Sequence, residues 1–161
     1  MDSVTTGEPP TGGLALMALD DVAPRNCTIA DSLAILGERW TLLAIREMVY
    51  GAHRFDQIVG FTGVSRDILS DRLRKLEQHG VVERRQYLDH PVRYEYHLTE
   101  AGQDLAPVLM ALANWGAKWA PNPDSTRSFV HDCGHPPALV WSCEACGRAV
   151  TPENVTPLPV A

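Results

Sequence analysis

The chain has 161 residues, 45% hydrophobic and 21% charged, with a formal net charge of −6 at pH 7. That suits one globular core with a small appendage, and no apolar run reaches the ~18–20 residues a membrane span requires. The stretch from Leu14 to Leu19 is too short, and too poor in preceding basic residues, to act as a signal peptide, which points to the cytoplasm. Four cysteines in a cytoplasmic chain fit free thiols or metal ligands better than a disulfide framework.

The charge is unevenly spread. Residues 1–23 hold four acids and no Lys or Arg, and residues 121–161 hold four acids and two Arg. Residues 24–120 balance twelve of each sign, and 61–93 hold seven bases against five acids. An acidic whole therefore leaves room for a locally basic surface. The same divisions mark the organisation: a flexible arm over 1–23, a folded domain over 24–120 and a Cys/His-rich tail over 121–161. The arm is read from Pro9-Pro10, Gly12-Gly13 and the scattered Ser, Thr and Asp around them.

The first helix starts after Asn26, a suitable N-cap, carries Ile29, Leu33 and Leu36 at helical spacing and ends at Gly37. A second runs to about Gly51, with Trp40, Leu43 and Ile45 or Met48 inward. Phe55–Val59 reads as a short helix, and residues 60–64 as a tight, glycine-rich connection. Ser65 then caps a helix reaching about His79, closed by Gly80, with Leu69, Leu73 and Leu76 as its buried stripe. Short helix, turn and longer helix outline a helix-turn-helix.

The period then changes. Val92, Tyr94, Tyr96 and Leu98 alternate with Arg93, Glu95 and His97, the pattern of a half-buried strand. Val81–Tyr87 is its partner, Asp89-His-Pro91 is the turn, and the hairpin makes a wing. Thr99 caps a last helix to about Trp119, with Leu105, Val108, Leu109, Leu112 and Trp115 on its apolar stripe and a kink expected at Pro107. No later segment is large enough to cover that stripe, so a partner subunit is expected there. The fold class is thus mainly α with a small β-hairpin (α+β).

With these elements in place the chain resembles the HxlR-type winged-helix regulators, relatives of the MarR group, from Cys27 to Trp119. The residues that carry the resemblance are Cys27, Leu36-Gly-Glu-Arg-Trp-Thr-Leu-Leu43, Arg54-Phe55, Ser65, Leu69-Ser-Asp-Arg-Leu-Arg-Lys-Leu76, Gly80-Val81-Val82, Tyr94–Thr99 and Gly102. The resemblance implies a dimeric bacterial transcription factor whose first and last helices form the dimer interface. Residues 121–161 lie outside the family's common core.

In such an architecture the helix after Ser65 enters the major groove. Its start offers Ser65 and Arg66, and the face opposite the leucines offers Asp67, Ser70, Asp71 and Arg74. Arg66 or Arg74 suits guanine, and Asp67 suits cytosine or the positive end of the helix dipole. The wing adds Arg85, His90 and Arg93 for the minor groove or its phosphates. Lys75 and Arg84 are optional phosphate contacts, and Arg72, nearer the buried edge, is expected to pair with an acid. The alternative for all of them is a solvated charged face.

Cys27 lies at the start of the first core helix, where a thiol can become reactive. Some regulators resembling this one sense oxidants or electrophiles at that place; otherwise Cys27 is a small buried hydrophobe. The tail reads His131-Asp-Cys133-Gly-His135, seven residues, then Cys143-Glu-Ala-Cys146-Gly147. The second group has the form of a zinc knuckle. Cys133 with His131 or His135 would complete a Cys₃His set around structural Zn²⁺, a small zinc ribbon. The alternatives are a Cys143/Cys146 redox pair or loose thiols.

No nucleophile–base arrangement or phosphate-binding glycine run occurs, so an enzyme is not expected. The expected function is a homodimeric, sequence-specific DNA-binding repressor that reads double-stranded DNA at an inverted repeat. Its release would come from a thiol-reactive signal at Cys27, from a small molecule held near Trp40, Trp115 and Trp119, or from metal at the tail. The competing reading is a winged-helix protein-interaction module with a structural zinc ribbon.

Overall fold

The computed structural model describes residues 27–120, 122 and 129–156. The predicted arm and the chain beyond residue 156 lie outside the described residues, and the N-cap of the first helix is Cys27 instead of the expected Asn26. Six helices and one hairpin follow in the order α1 (Thr28–Leu36), α2 (Arg39–Val49), α3 (Phe55–Thr62), α4 (Arg66–Gln78), β1 (Val82–Asp89), β2 (Val92–Leu98), α5 (Glu100–Gln103) and α6 (Ala106–Trp119). None of the described helices is long and apolar enough to cross a membrane.

The core lies where α2, α3 and α4 meet the base of the hairpin. Ile45 of α2, Ile58 of α3 and Leu69, Leu73 and Leu76 of α4 are sealed from solvent together with Val82. The three leucines are the predicted stripe, and full burial of each is worth ~1.5–3 kcal/mol. On α2 the buried positions are Thr41, Ala44, Ile45, Glu47 and Met48, whereas Trp40 is only half-buried against the core. Helix α4 starts as expected: the Ser65 hydroxyl accepts the Ile68 backbone N–H at 3.4 Å. It ends at His79, with Gly80 in the left-handed region.

Three expectations are corrected. Residues 60–62, read as connection, continue α3, and only Gly63 at its end is left-handed. The last helix is two helices, because Pro107 falls in the first turn of α6 instead of inside a longer one. Proline has no N–H to lose there and its fixed φ suits a helix start, so the chain breaks at Asp104–Leu105 without a kink. In β2, Val92 is exposed while Glu95 and His97 are half-buried, so the alternation fails. A hairpin of two strands that stands away from the core at its tip has no face to bury there.

The strands pair antiparallel from Val82↔Leu98 to Asp89↔Val92, with an irregularity between Gln86 and Leu88. A further extended piece, absent from the periodicity, braces this wing from the chain before α3. The Tyr96 N–H donates to the His53 carbonyl at 2.8 Å, the His53 ring Nδ1 lies 3.1 Å from the Tyr96 carbonyl, and Arg54 forms a bridge to Glu95. The His53 and His97 rings stack with centroids 4.2 Å apart. Thr99 ties the other end together: its hydroxyl donates to the Gly80 carbonyl at 2.6 Å and accepts the Gly102 N–H at 3.3 Å.

Candidate nucleic-acid interface

Burying Leu69, Leu73 and Leu76 dictates what α4 shows to solvent. Ser65, Arg66, Asp67, Ser70, Asp71 and Arg74 are all exposed. Each arginine on it is held by a carboxylate. Arg66 reaches Asp56 of α3 at 2.7 Å and lies over the Phe55 ring, and Arg74 pairs with Asp71 one turn earlier on its own helix. Exposed pairs of this kind contribute only ~0–1 kcal/mol, so a phosphate or a guanine edge can take the place of the carboxylate at little cost. Arg72 behaves as expected, pairing with Glu38 at 3.3 Å while largely covered.

The wing carries the other cations. Arg85 is bound by Glu83 at 2.6 Å, and Arg84 lies over Tyr94 with Glu77 at 3.7 Å. His90 and Arg93 are exposed at the tip, and Arg93 makes no ion pair among the described residues. The Arg54 guanidinium donates to Glu95 at 3.1 Å and covers the Tyr87 ring. The hydrogen bond from Arg54 is the main cause that holds the Glu95 carboxyl below its ordinary range. This pair, which fixes the wing to the start of α3, was absent from the predicted site residues. Only the resemblance at Arg54-Phe55 pointed toward it, since nothing in one chain's periodicity joins residues 54 and 95.

The remaining candidates are dispersed. Cys27 is the partly exposed N-cap of α1. Trp115 and Trp119 are exposed, and Trp40 lies beneath the Arg39 guanidinium. None of the three lines the described cavity of about 320 Å³, which opens between α2, the wing base and α6. Its walls are Met48, Leu98 and Ala106 on the apolar side and His53, His97, Arg85 and Gln103 on the polar side.

In the tail, the Cys133 thiol lies 3.1 Å from His131 Nδ1 and 3.7 Å from His135 Nδ1. Cys143 and Cys146 occupy a second turn. Hydrogen bonds from the Arg148 backbone, then its side chain, then Cys143 hold the Cys146 thiol below its ordinary range. The four predicted ligands are not gathered into one set. Among the described residues the group whose donor atoms all lie within 4.8 Å of one another is His131, Asp132 and Cys133.

A helix-turn-helix whose second helix exposes a polar, arginine-bearing face, followed by a braced hairpin, defines the winged-helix DNA-binding regulators. The family model for the HxlR-like helix-turn-helix matches residues 35–124, and the chain belongs to that family. It is 40% identical over 149 residues to the HTH-type transcriptional regulator Rv3095 of Mycobacterium tuberculosis, covering 89% of this chain and 93% of the relative. That match is too long to end where the family model does, so it takes in part of the tail. Among solved structures it is similar to the transcription factor PA1607 (TM-score 0.72, 30% identity, 82% of this chain and 94% of the other). It is also similar to the reduced form of the transcriptional regulator YodB of B. subtilis (TM-score 0.51, 32% identity, 59% and 95%). The chain is therefore a winged-helix transcriptional regulator, and its relatives are regulators and not enzymes.

Proposed function

We propose that two copies of this chain join through α1 and α6 and repress transcription by binding an inverted repeat in double-stranded DNA. The observation that carries the reading is the apolar surface left on the two terminal helices. Ile29 and Leu33 on α1, and Val108, Leu112, Trp115 and Trp119 on α6, are each roughly half or more exposed. Monomers rarely leave so many large apolar side chains on two helices uncovered. A two-fold dimer would present two α4 helices to successive major grooves, so operator symmetry would follow protein symmetry.

Within each half-site, Arg66 and Arg74 exchange their carboxylates for base edges or phosphates, with Ser65, Asp67 and Ser70 beside them. Arg85, His90 and Arg93 follow the adjacent backbone or minor groove. Release comes from a signal that changes the spacing of the two reading helices. Cys27, at the head of a dimer helix, suits a thiol-reactive signal, and YodB, a similar regulator, is known in a reduced form. A small molecule in the wing-base cavity is the other route, because His53, His97 and Arg85 line the joint between reading head and dimer helix.

The test is duplex binding at rising salt together with oligomer mass. A dimer that holds its operator with affinity falling steeply in salt supports the reading, because phosphate contacts release counterions. Leu112→Asp should give monomers and abolish tight operator binding. A monomer, or a dimer with no salt-sensitive DNA complex, would leave the protein-interaction module as the reading. Cys27→Ser protein that still leaves DNA on oxidant treatment removes the thiol route.

A further inference from the structure

We infer that the tail binds one zinc ion per chain, through His131, Cys133, Cys143 and Cys146. The structure builds the same kind of turn twice. In the first, the Gly134 N–H donates to the His131 carbonyl at 2.8 Å, and the His131 N–H donates to the His135 carbonyl at 2.9 Å. In the second, the Gly147 and Cys146 N–H groups both donate to the Cys143 carbonyl, at 2.7 and 3.3 Å, and the Cys143 N–H donates to the Arg148 carbonyl at 2.9 Å. Both turns close on Cys-Gly, with Gly134 at φ 84° and Gly147 at φ 68°. The left-handed glycine is what lets the chain reverse directly after the thiol.

The donor chemistry is soft. Thiolates with imidazole select zinc over magnesium or calcium, and four such donors fill a tetrahedral structural site. In such a site, bonds of ~2.3 Å to sulfur and ~2.05 Å to nitrogen put ligand atoms ~3.5 Å apart, and the Cys133–His131 separation of 3.1 Å is close to that. His131 is chosen over His135 because its Nδ1 lies nearer the Cys133 thiol, 3.1 Å against 3.7 Å; that nitrogen also accepts the Cys133 N–H at 3.3 Å and faces Asp132 at 2.6 Å, contacts a metal would replace. Asp132 completes the cluster of three in this structure, but it is a hard oxygen donor on a freely exposed side chain, and thiolates take zinc in its place.

The two turns stand apart here as half-sites, joined by residues 136–142. Seven extended residues reach up to ~25 Å, ample for the halves to close on one ion. The energetic need is plain from burial. Residues 129–156 contain no buried side chain, and Val130, Val140 and Trp141 are all more than half exposed. A segment with so little apolar burial requires another source of stability, and metal ligation provides it. The first half-site is also fixed to the domain on both sides: the Phe129 ring packs on Tyr50, and the Asn114 amide of α6 donates to the Pro137 carbonyl at 3.3 Å.

Native mass spectrometry and elemental analysis of the full chain, purified under reducing conditions with and without a strong chelator, test the site. One zinc per chain, removed by the chelator, is expected. Cys133→Ser, Cys143→Ser, Cys146→Ser and His131→Ala should each lose it, while Cys27→Ser and His135→Ala keep it. Cobalt in place of zinc should give the visible absorption of a tetrahedral thiolate site in wild type and not in Cys143→Ser. Every described helix lies before the tail, so far-UV circular dichroism separates a metal-free folded variant from an unfolded one. Protein that stays metal-free after incubation with zinc overturns the site, as does undiminished zinc in Cys143→Ser. So does a chain lighter by two hydrogens, with Cys143 joined to Cys146, that takes up no zinc once reduced.

Discussion

The helical domain and the tail keep their shape by different means. Residues 27–120 enclose a sealed cluster of Ile45, Ile58, Leu69, Leu73, Leu76 and Val82, whereas residues 129–156 enclose nothing. In the first region each side chain loses water to many neighbours at once, and stability is spread over the cluster. In the second, order resides in backbone turns and in four or five polar side chains. Damage should accordingly be graded in one region and all-or-none in the other.

The largest expected effect comes from the core. Leu73→Ala should cost ~2–5 kcal/mol in urea unfolding, and zinc content per folded chain should not change. Next is Gly102→Ala. A Cβ there would fall on the Val81 carbonyl and crowd Leu98, a loss of ~1–3 kcal/mol in the same assay. Ser65→Ala removes the α4 cap for ~1 kcal/mol, read as a lower melting temperature and weaker operator binding. Smallest for the domain is Cys143→Ser. It should abolish metal binding yet shift core unfolding by less than ~0.5 kcal/mol, while limited proteolysis cuts the tail sooner. If Cys143→Ser melted the helices, or Leu73→Ala released the metal from folded protein, the two regions would be one.

What could be read from the chain alone follows the same division. The stripe Leu69, Leu73, Leu76 and the cap at Ser65 are local, spaced by one helix's own period, and both stand where expected. The alternation in β2 was legible as a strand but misleading about burial, since a two-stranded wing has no opposite layer. Pro107 marked a real break but not its kind: the same ring disrupts a helix interior and favours a first turn. The exposed polar face of α4 follows from its buried face by simple geometry. The Arg54–Glu95 brace and the wing-base cavity do not, because they join residues some forty positions apart. The Cys and His spacing suggests a ligand set, yet how far apart its halves stand depends on a linker whose path no motif encodes.

Thr99 has a mechanical consequence. Its hydroxyl holds the Gly80 carbonyl at the end of α4, its N–H holds the Val81 carbonyl at 3.1 Å, and its oxygen receives Gly102 of α5. The end of α4, the root of the wing and α5 are therefore tied together at one residue. The next interruption along the chain is Asp104–Leu105, between α5 and α6. A displacement imposed on one of the three elements tied at Thr99 is thus expected to reach the other two through a single side chain, so Thr99→Val should loosen all three at once.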